Sequence, residues 1–361
     1  MVALAMTRAG YLARMASIIL PVDPVHPDPA SIARAADHLA GGELVAFPTE
    51  TVYGLGAAAL NVHAVSRIFA AKGRPAWNPV IAHVADAEGA RMLTAAWPDE
   101  AERLAKAFWP GPLTLVLPKR DHVPDIVTAG LDAIGVRVPA HPVALALLRA
   151  FAQPIAAPSA NRFTHVSPTS AAHVAASLGD RVSFILDGGP CYVGIESTVL
   201  DLGGEIPTML RPGMITRAQL EAVLGRSVAV ASARVAHDDA ATSGQRSPGM
   251  AERHYAPSAD TWLFDPANPE EIAAVLASSP ERAAIGPLVA LLLEPAQREI
   301  LGLVAGDVIV PMPHHPAAYA RALYAELHAA DALGARLVLI EQPPDTEDWN
   351  AVRDRLARAA R

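Results

Sequence analysis

Residues 41–56 read GGELVAFPTETVYGLG. Apolar residues at helical spacing over 31–39 predict a helix, and Gly41-Gly42 is its stop signal. A short strand over 43–47 follows and is closed by Pro48. It delivers Thr49, Glu50, Thr51 and Tyr53 into a loop, and hydroxyls packed so densely after a buried strand point to small-ligand recognition. The next residues, Gly54-Leu55-Gly56-Ala57-Ala58-Ala59, match the glycine fingerprint of a dinucleotide-binding turn. That reading fails on context: residues 48–53 separate the glycines from their strand, and no acid stands about 20 residues on to hold a ribose. We read 54–59 as a tight turn with close packing.

Outward from this stretch, strands and helices interleave. Helices are predicted at 64–72, 99–108, 142–151, 169–178 and 216–224, and strands at 80–84, 113–117, 134–138, 155–157, 182–186, 197–202 and 208–210. Such alternation is the α/β class. The connection within 113–138 carries no clear helix, so the sheet is expected to be mixed rather than purely parallel. Residues 232–245 are small and polar, the best linker candidate. Beyond them, strands at 262–264, 288–293, 308–310 and 337–340 alternate with helices at 269–277, 317–330 and 349–360. The expected organisation is a tail at 1–15 (Met15 reading as a second start), a first domain at 16–225, a linker at 226–260 and a smaller α/β domain at 261–361.

A chain of 361 residues corresponds to two domains at about 150 residues each. Apolar residues at 52% against 18% charged offset the entropy of ordering and exclude wholesale disorder. The one cysteine, Cys191, excludes a disulfide framework or a cysteine zinc cluster and fits a reducing, cytoplasmic setting. A formal charge of −8 argues against a nucleic-acid coat, which needs a cationic face, while a few local cations can still hold a small anion. No apolar run reaches the roughly 18–20 residues of a membrane span. Residues 1–20 lack the apolar stretch of a signal peptide.

No P-loop, G-x-S-x-G or H-E-x-x-H motif is present, and the 13 histidines show no ligand spacing beyond the loop pair His314-His315. Two other short stretches carry chemistry. In Lys72-Gly73-Arg74-Pro75 the glycine and proline break the helix, so two cations can point one way, a point charge beside a planar fork that suits a polyphosphate. A solvated helix end is the alternative. In Pro158-Ser159-Ala160-Asn161, Ser159 and Asn161 follow a buried strand, at the strand end where open α/β sheets place ligands. An ordinary capping turn is the alternative there.

The motifs form an ordered set. Pro48-Thr49-Glu50-Thr51-Val52-Tyr53-Gly54-Leu55-Gly56 is followed by Lys72-Gly73-Arg74-Pro75 with Asn78-Pro79, then Trp109-Pro110-Gly111-Pro112-Leu113-Thr114. Val136-Arg137-Val138-Pro139, Ala157-Pro158-Ser159-Ala160-Asn161, Glu196-Ser197-Thr198 and Leu210-Arg211-Pro212-Gly213 complete it. In order and spacing this resembles the YrdC-type threonylcarbamoyl-adenylate synthases across 16–225. Ser247-Pro248-Gly249-Met250 with His254-Tyr255-Ala256-Pro257 is similar to the linker signature of their long, two-domain members, and 319–361 to their C-terminal domain. The chain departs from the pattern at Ala-Glu-Arg before His254, and at Asp354, where many relatives have asparagine.

The resemblance implies a YrdC-like twisted, mixed, open sheet with flanking helices, followed by a smaller Rossmann-like α/β domain. It implies a nucleotidyltransferase that converts L-threonine, bicarbonate and ATP, with magnesium, into threonylcarbamoyl-AMP and pyrophosphate. A downstream transferase would place the group beside the anticodon of tRNA, so tight tRNA binding by this chain is not expected. Lys72, Arg74, Ser159 and Asn161 fall on the family's catalytic phosphate-binding positions. Asn78 and Arg211, with Thr128 and Ser167, fall at nucleotide contacts. Thr49, His83, Arg137 and Ser197 fall where threonine is held, with Arg137 facing its carboxylate, and Tyr255 belongs to a lid. No general base stands out. Glu50 and Glu196 read as hydrogen-bonding groups, His83 as a hydrogen-bond partner of threonine, and Cys191 as a buried spacer. The rival readings are a non-catalytic nucleic-acid module, opposed by the charge, and a carbamoyl-phosphate enzyme, whose extra zinc-finger and acylphosphatase segments this cysteine-poor chain cannot hold.

Overall fold

The structure, a computed structural model, describes residues 17–231, 254–278, 287–304 and 306–360. The expected tail at 1–15, Met15, and the linker stretch 232–253 with Ser247-Pro248-Gly249-Met250 lie outside the described residues. In chain order the elements of the first domain are β1 (Ile18–Pro21), α1 (Pro29–Ala40), β2 (Val45–Phe47), β3 (Gly54–Ala58), α2 (Val62–Lys72), β4 (Ala82–His83), α3 (Ala87–Leu93) and α4 (Asp99–Phe108). They continue with β5 (Leu113–Pro118), α5 (Asp125–Thr128), β6 (Ala133–Arg137), α6 (Pro142–Phe151), β7 (Ile155–Ala156), α7 (Ala171–Leu178), β8 (Phe184–Asp187), β9 (Thr198–Asp201), β10 (Thr208–Arg211), α8 (Arg217–Leu224) and β11 (Ala229–Val230). The second domain carries β12 (Asp260–Phe264), α9 (Pro269–Ser278), β13 (Leu288–Leu292), α10 (Gln297–Ile300), β14 (Val308–Pro311), α11 (Pro316–Ala332), β15 (Leu337–Glu341) and α12 (Asn350–Ala359).

Local chemistry sets these boundaries. Asp28 caps α1 through Ser31 N, Pro29 opens the helix, and Ile32, Ala35, Ala36 and Leu39 form its buried face. Thr216 and Gln219 make a reciprocal capping box at the start of α8. Gly73, at φ +65°, ends α2 in the left-handed conformation that glycine adopts freely.

Among the described residues the first sheet has 11 strands in the order β1-β8-β2-β3-β7-β4-β6-β5-β9-β10-β11. It is mixed: β4 and β6 run parallel, whereas β7 is antiparallel to both β3 and β4. The second sheet, β12-β15-β13-β14, is smaller and wholly parallel.

The structure corrects the sequence reading at several points. Residues 54–58 are not a turn but strand β3, antiparallel to β2. The close packing is real: a Cβ on Gly56 would stand 2.8 Å from the Phe47 ring and 2.9 Å from an Ile155 methyl. The glycines are there because strands and side chains close over them, which glycine alone permits inside a strand. α5 lies between β5 and β6, where no helix was expected; four residues are too few to show a periodic stripe. β1 and α3 were also missed. β11 pairs with β10, so the first sheet extends past residue 225.

A second apolar core bridges the two domains. The second core joins Tyr319, Leu323, Leu327, Val338 and Val352 of the second domain to Val52, Val166 and Ile195 of the first. Helix α11 comes so close to the loop at Gly194 that a Cβ there would stand 2.4 Å from Arg321 Cα.

Candidate active site

The ends of central strands aim polar side chains into one place. His83 and Arg137 are the last residues of β4 and β6 and stand in register as neighbours. Thr49 follows β2, Ser159 and Asn161 follow β7, Ser197 precedes β9, and Arg211 ends β10. Backbone bonds stitch the two loop motifs together: Leu55 N donates to Pro158 O, and Ala160 N to Tyr53 O, both at 2.8 Å.

Three cations, Lys72, Arg74 and Arg211, lie near one another here. The Lys72 ammonium donates to the Ser159 carbonyl at 2.6 Å and to the Asn161 carbonyl. Arg74 donates to Asn78 Oδ1 and Pro79 O, each at 2.6 Å, and its Nε to Asn78 O at 3.0 Å. Arg211 donates to Ser197 O at 3.0 Å and Ser197 Oγ at 3.2 Å. All three are buried. Burial, reinforced by Arg74, drives the Lys72 ammonium well below its ordinary value. Burial lowers Arg74 to about 9, and it lowers Arg211 as well, Arg355 adding to it. Cations gathered out of water are costly unless an anion joins them. The arrangement therefore suits a polyphosphate, and the solvated-helix-end alternative for Lys72 and Arg74 falls.

The remaining polar residues suit a smaller polar ligand. Thr49 Oγ1 bonds Val52 O at 2.6 Å and Thr51 Oγ1 at 2.8 Å. Arg137 donates to Thr51 Oγ1 at 3.0 Å and Gly111 O at 3.2 Å, and lies 2.6 Å from Glu50 Oε1. Glu50 also accepts from Ala140 N at 3.0 Å. It thus orients the Arg137 fork and is not placed as a base. Burial, with Arg137 beside it, pushes His83 down to about 3, so the ring is neutral at physiological pH, and its Nδ1 has no hydrogen-bond partner. A neutral imidazole with an unpaired nitrogen is a hydrogen-bonding group for a ligand rather than a proton carrier.

Thr49, Arg74, His83, Arg137, Ser159, Ser197, Arg211 and Tyr255 line one cavity of ≈ 50 Å³, together with Thr51, Glu196 and His254. That is far below the roughly 300–1,000 Å³ of a ligand pocket. His254 and Tyr255 close it. Tyr255 is 1% exposed, takes φ +63°, and its hydroxyl is unpartnered, as is His254 Nδ1. Lys72 bonds the lining at Ser159 and Asn78 bonds it at Arg74, while Asn161 is held to Lys72. Two candidates are placed elsewhere. Thr128 bonds Asp125 O and faces a separate hollow that shares Ile81 with the cavity. Ser167 donates to Glu196 at 2.6 Å rather than facing the cavity. Cys191 is buried, which pushes its thiol up and makes it inert. A larger cleft, ≈ 700 Å³, lies between β10 and α12, but its Arg353 is already committed to Asp345 and Pro343 O.

A family model described as "Telomere recombination" matches residues 37–213, and one described as "Threonylcarbamoyl-AMP synthase, C-terminal domain" matches 215–361. The threonylcarbamoyl-AMP synthase of Bacillus subtilis is 42% identical over 345 residues, 94% of this chain and 95% of that protein. The chain belongs to the threonylcarbamoyl-AMP synthase family. It is thus an enzyme of the long, two-domain form. The Pyrococcus abyssi threonylcarbamoyl-AMP synthase is 51% identical over 231 residues, 64% of this chain and 67% of that one. The crystal structure of Pyrococcus abyssi Sua5 complexed with L-threonine superposes with a TM-score of 0.85 at 40% identity, covering 95% of this chain and 98% of that one.

Sequence reasoning placed Thr51 in a ligand-recognition loop but missed His254, Tyr324 and Arg355 as parts of the site. His254 stands inside a motif already singled out. Tyr324 and Arg355 carry no local signal, because they meet the site only through tertiary packing.

Proposed function

We propose that this enzyme is a nucleotidyltransferase forming threonylcarbamoyl-AMP and pyrophosphate from L-threonine, bicarbonate and ATP, as a step in tRNA threonylcarbamoyladenosine synthesis. The observation that carries the proposal is that Arg74, Arg211, Ser159, Thr49, His83, Arg137 and Ser197 line one cavity, with the Lys72 ammonium bonded to its Ser159. Lys72, Arg74 and Arg211 take the triphosphate, with Asn78, Ser159 and Asn161 fixing its orientation. Each charge-assisted bond contributes about 1.5–3 kcal/mol. Threonine places its carboxylate at Arg137 and its hydroxyl and amine among Thr49, His83 and Ser197. The ligand bound to the Pyrococcus relative is this amino acid, which supports the assignment.

The threonine ammonium gives a proton to solvent, its neutral nitrogen bonds to the bicarbonate carbon, water leaves, and a carbamate results. A carbamate oxygen then attacks the α-phosphorus, the bond to the bridging oxygen breaks, and pyrophosphate departs. The carbamate is already an anion, so no side-chain base is required; positioning and charge stabilisation do the rest. Magnesium enters as part of the MgATP substrate. Among the described residues no three His, Cys, Asp or Glu gather to cage an ion. Tyr255 and His254 act as the lid, which must swing out before substrates of this size enter. The product passes to a second enzyme that transfers it to tRNA. Among the described residues no helix is long and apolar enough to cross a membrane.

Pyrophosphate release should require threonine and bicarbonate together. Equal ATP consumption with and without threonine would reject the proposal.

A further inference from the structure

Arg355, in the second domain, is buried completely and is the largest such side chain among the described residues. Its guanidinium reaches into the first domain at two points. Nε lies 2.9 Å from Glu196 Oε2, and Nη2 donates to the Glu196 carbonyl at 3.3 Å. Nη1 donates to Pro212 O at 2.9 Å. Glu196 immediately precedes Ser197, and Pro212 immediately follows Arg211. These two cavity residues bond each other, and the Ser197 hydroxyl also bonds the Thr114 hydroxyl at 2.8 Å. One side chain thus grips the chain on the outer flank of both members of a functional pair. The Tyr255 ring lies 5.3 Å from the same guanidinium and 5.8 Å from the Tyr324 ring, and the Tyr324 hydroxyl donates to Glu196 at 3.1 Å.

We infer that Arg355 is a positioning residue of the catalytic site: through Glu196 and Pro212 it sets the Ser197–Arg211 pair, and with Tyr324 it forms the seat of the Tyr255 lid. The inference rests on the reaction proposed above. Domain adhesion alone does not account for the ion pair. The apolar second core already joins the domains, and a buried ion pair is poor glue beside well-packed hydrocarbon. What such a pair supplies is a fixed geometry, here at the edge of the cavity. The second domain therefore completes the site.

The test uses the full chain and the variants Arg355→Met, Arg355→Lys, Glu196→Gln and the Arg355→Met/Glu196→Gln pair. Threonine-dependent pyrophosphate release is followed across pH, and thermal melting reports folding. Glu196 is faced by Arg355, Arg211, Lys72, His254, Tyr255 and Tyr324; burial raises its carboxyl, but Arg355 and Arg211 more than offset that and hold it at about 2. Arg355→Met should lower kcat/KM for threonine about tenfold or more. It should also move the acidic limb of the profile to higher pH, and the added Glu196→Gln should abolish that movement. Arg355→Lys, which keeps the charge but not the fork, should fall between, and is the variant to read if Arg355→Met does not fold. A second readout needs no reaction: nitration of Tyr255, followed by peptide mass spectrometry, should be slow in the unaltered chain and fast in Arg355→Met. Unchanged kinetics, a loss of activity without movement of the limb, or an equally protected Tyr255 would each overturn the inference. Absence of threonine-dependent turnover in the unaltered chain would instead reject the reaction, and the nitration result would still decide the seat.

Discussion

Lys72 shows how much a single residue can report. Its position at a helix end before Gly73-Arg74-Pro75 was legible, since only a broken helix lets two cations converge. What the sequence could not show is that its ammonium would be buried against two carbonyls of the Ser159–Asn161 loop, 87 and 89 positions away. Replacing Lys72 or Ser159 by alanine should lower turnover by about 100-fold or more, given the cost of losing a group aimed at developing charge. The fold should survive, seen as an unchanged far-UV circular dichroism spectrum. The depressed Lys72 ammonium has a further consequence. A triphosphate beside it favours the charged form, so ATP binding should take up protons. Titration calorimetry in buffers of different ionisation enthalpy checks this: the apparent binding enthalpy should vary with the buffer, and a constant value contradicts it.

Among the elements, β3 is the instructive case. Its sequence, Gly-Leu-Gly-Ala-Ala, has almost nothing in common with a strand, since glycine and alanine are depleted there. The strand forms because β2 and β7 flank it and because small residues let Phe47 and Ile155 close over Gly56. Gly56→Ala should therefore destabilise the protein by about 1–3 kcal/mol through overpacking, measured as a lowered melting temperature. Helices α4 and α6, by contrast, are where the sequence placed them, because each has a clear start, a periodic apolar face and a stop. Elements that carry their own signals were legible; those imposed by neighbours were not.

For the whole molecule, the domain contact is the feature the sequence hid. Arg355 and Glu196 are 159 residues apart, and no local pattern links them. A second contact across the same interface, His173 stacked on His328 with ring centroids 3.9 Å apart, makes the contact acid-sensitive. Burial lowers His173 to about 4, with His328 adding to it, and burial lowers His328 too. Neutral rings are favoured in the folded protein. Their contribution is therefore complete above the unfolded value of about 6.5 and is lost as the pH falls from there towards 4. Glu196, held near 2, keeps its charge throughout that window. The melting temperature should fall between about pH 6.5 and pH 4, and the fall should be shallower in His173→Gln. Parallel curves would show that the stacked pair contributes nothing.

All of this depends on one cavity bringing a nucleotide and an amino acid together so that carbon from bicarbonate ends up between them. Mass spectrometry of the reaction mixture with carbon-13 bicarbonate addresses that point directly. The account predicts an AMP adduct of threonine that carries the label and forms only when threonine, bicarbonate and ATP are all present. An unlabelled adduct, or AMP produced at the same rate without threonine, would contradict it.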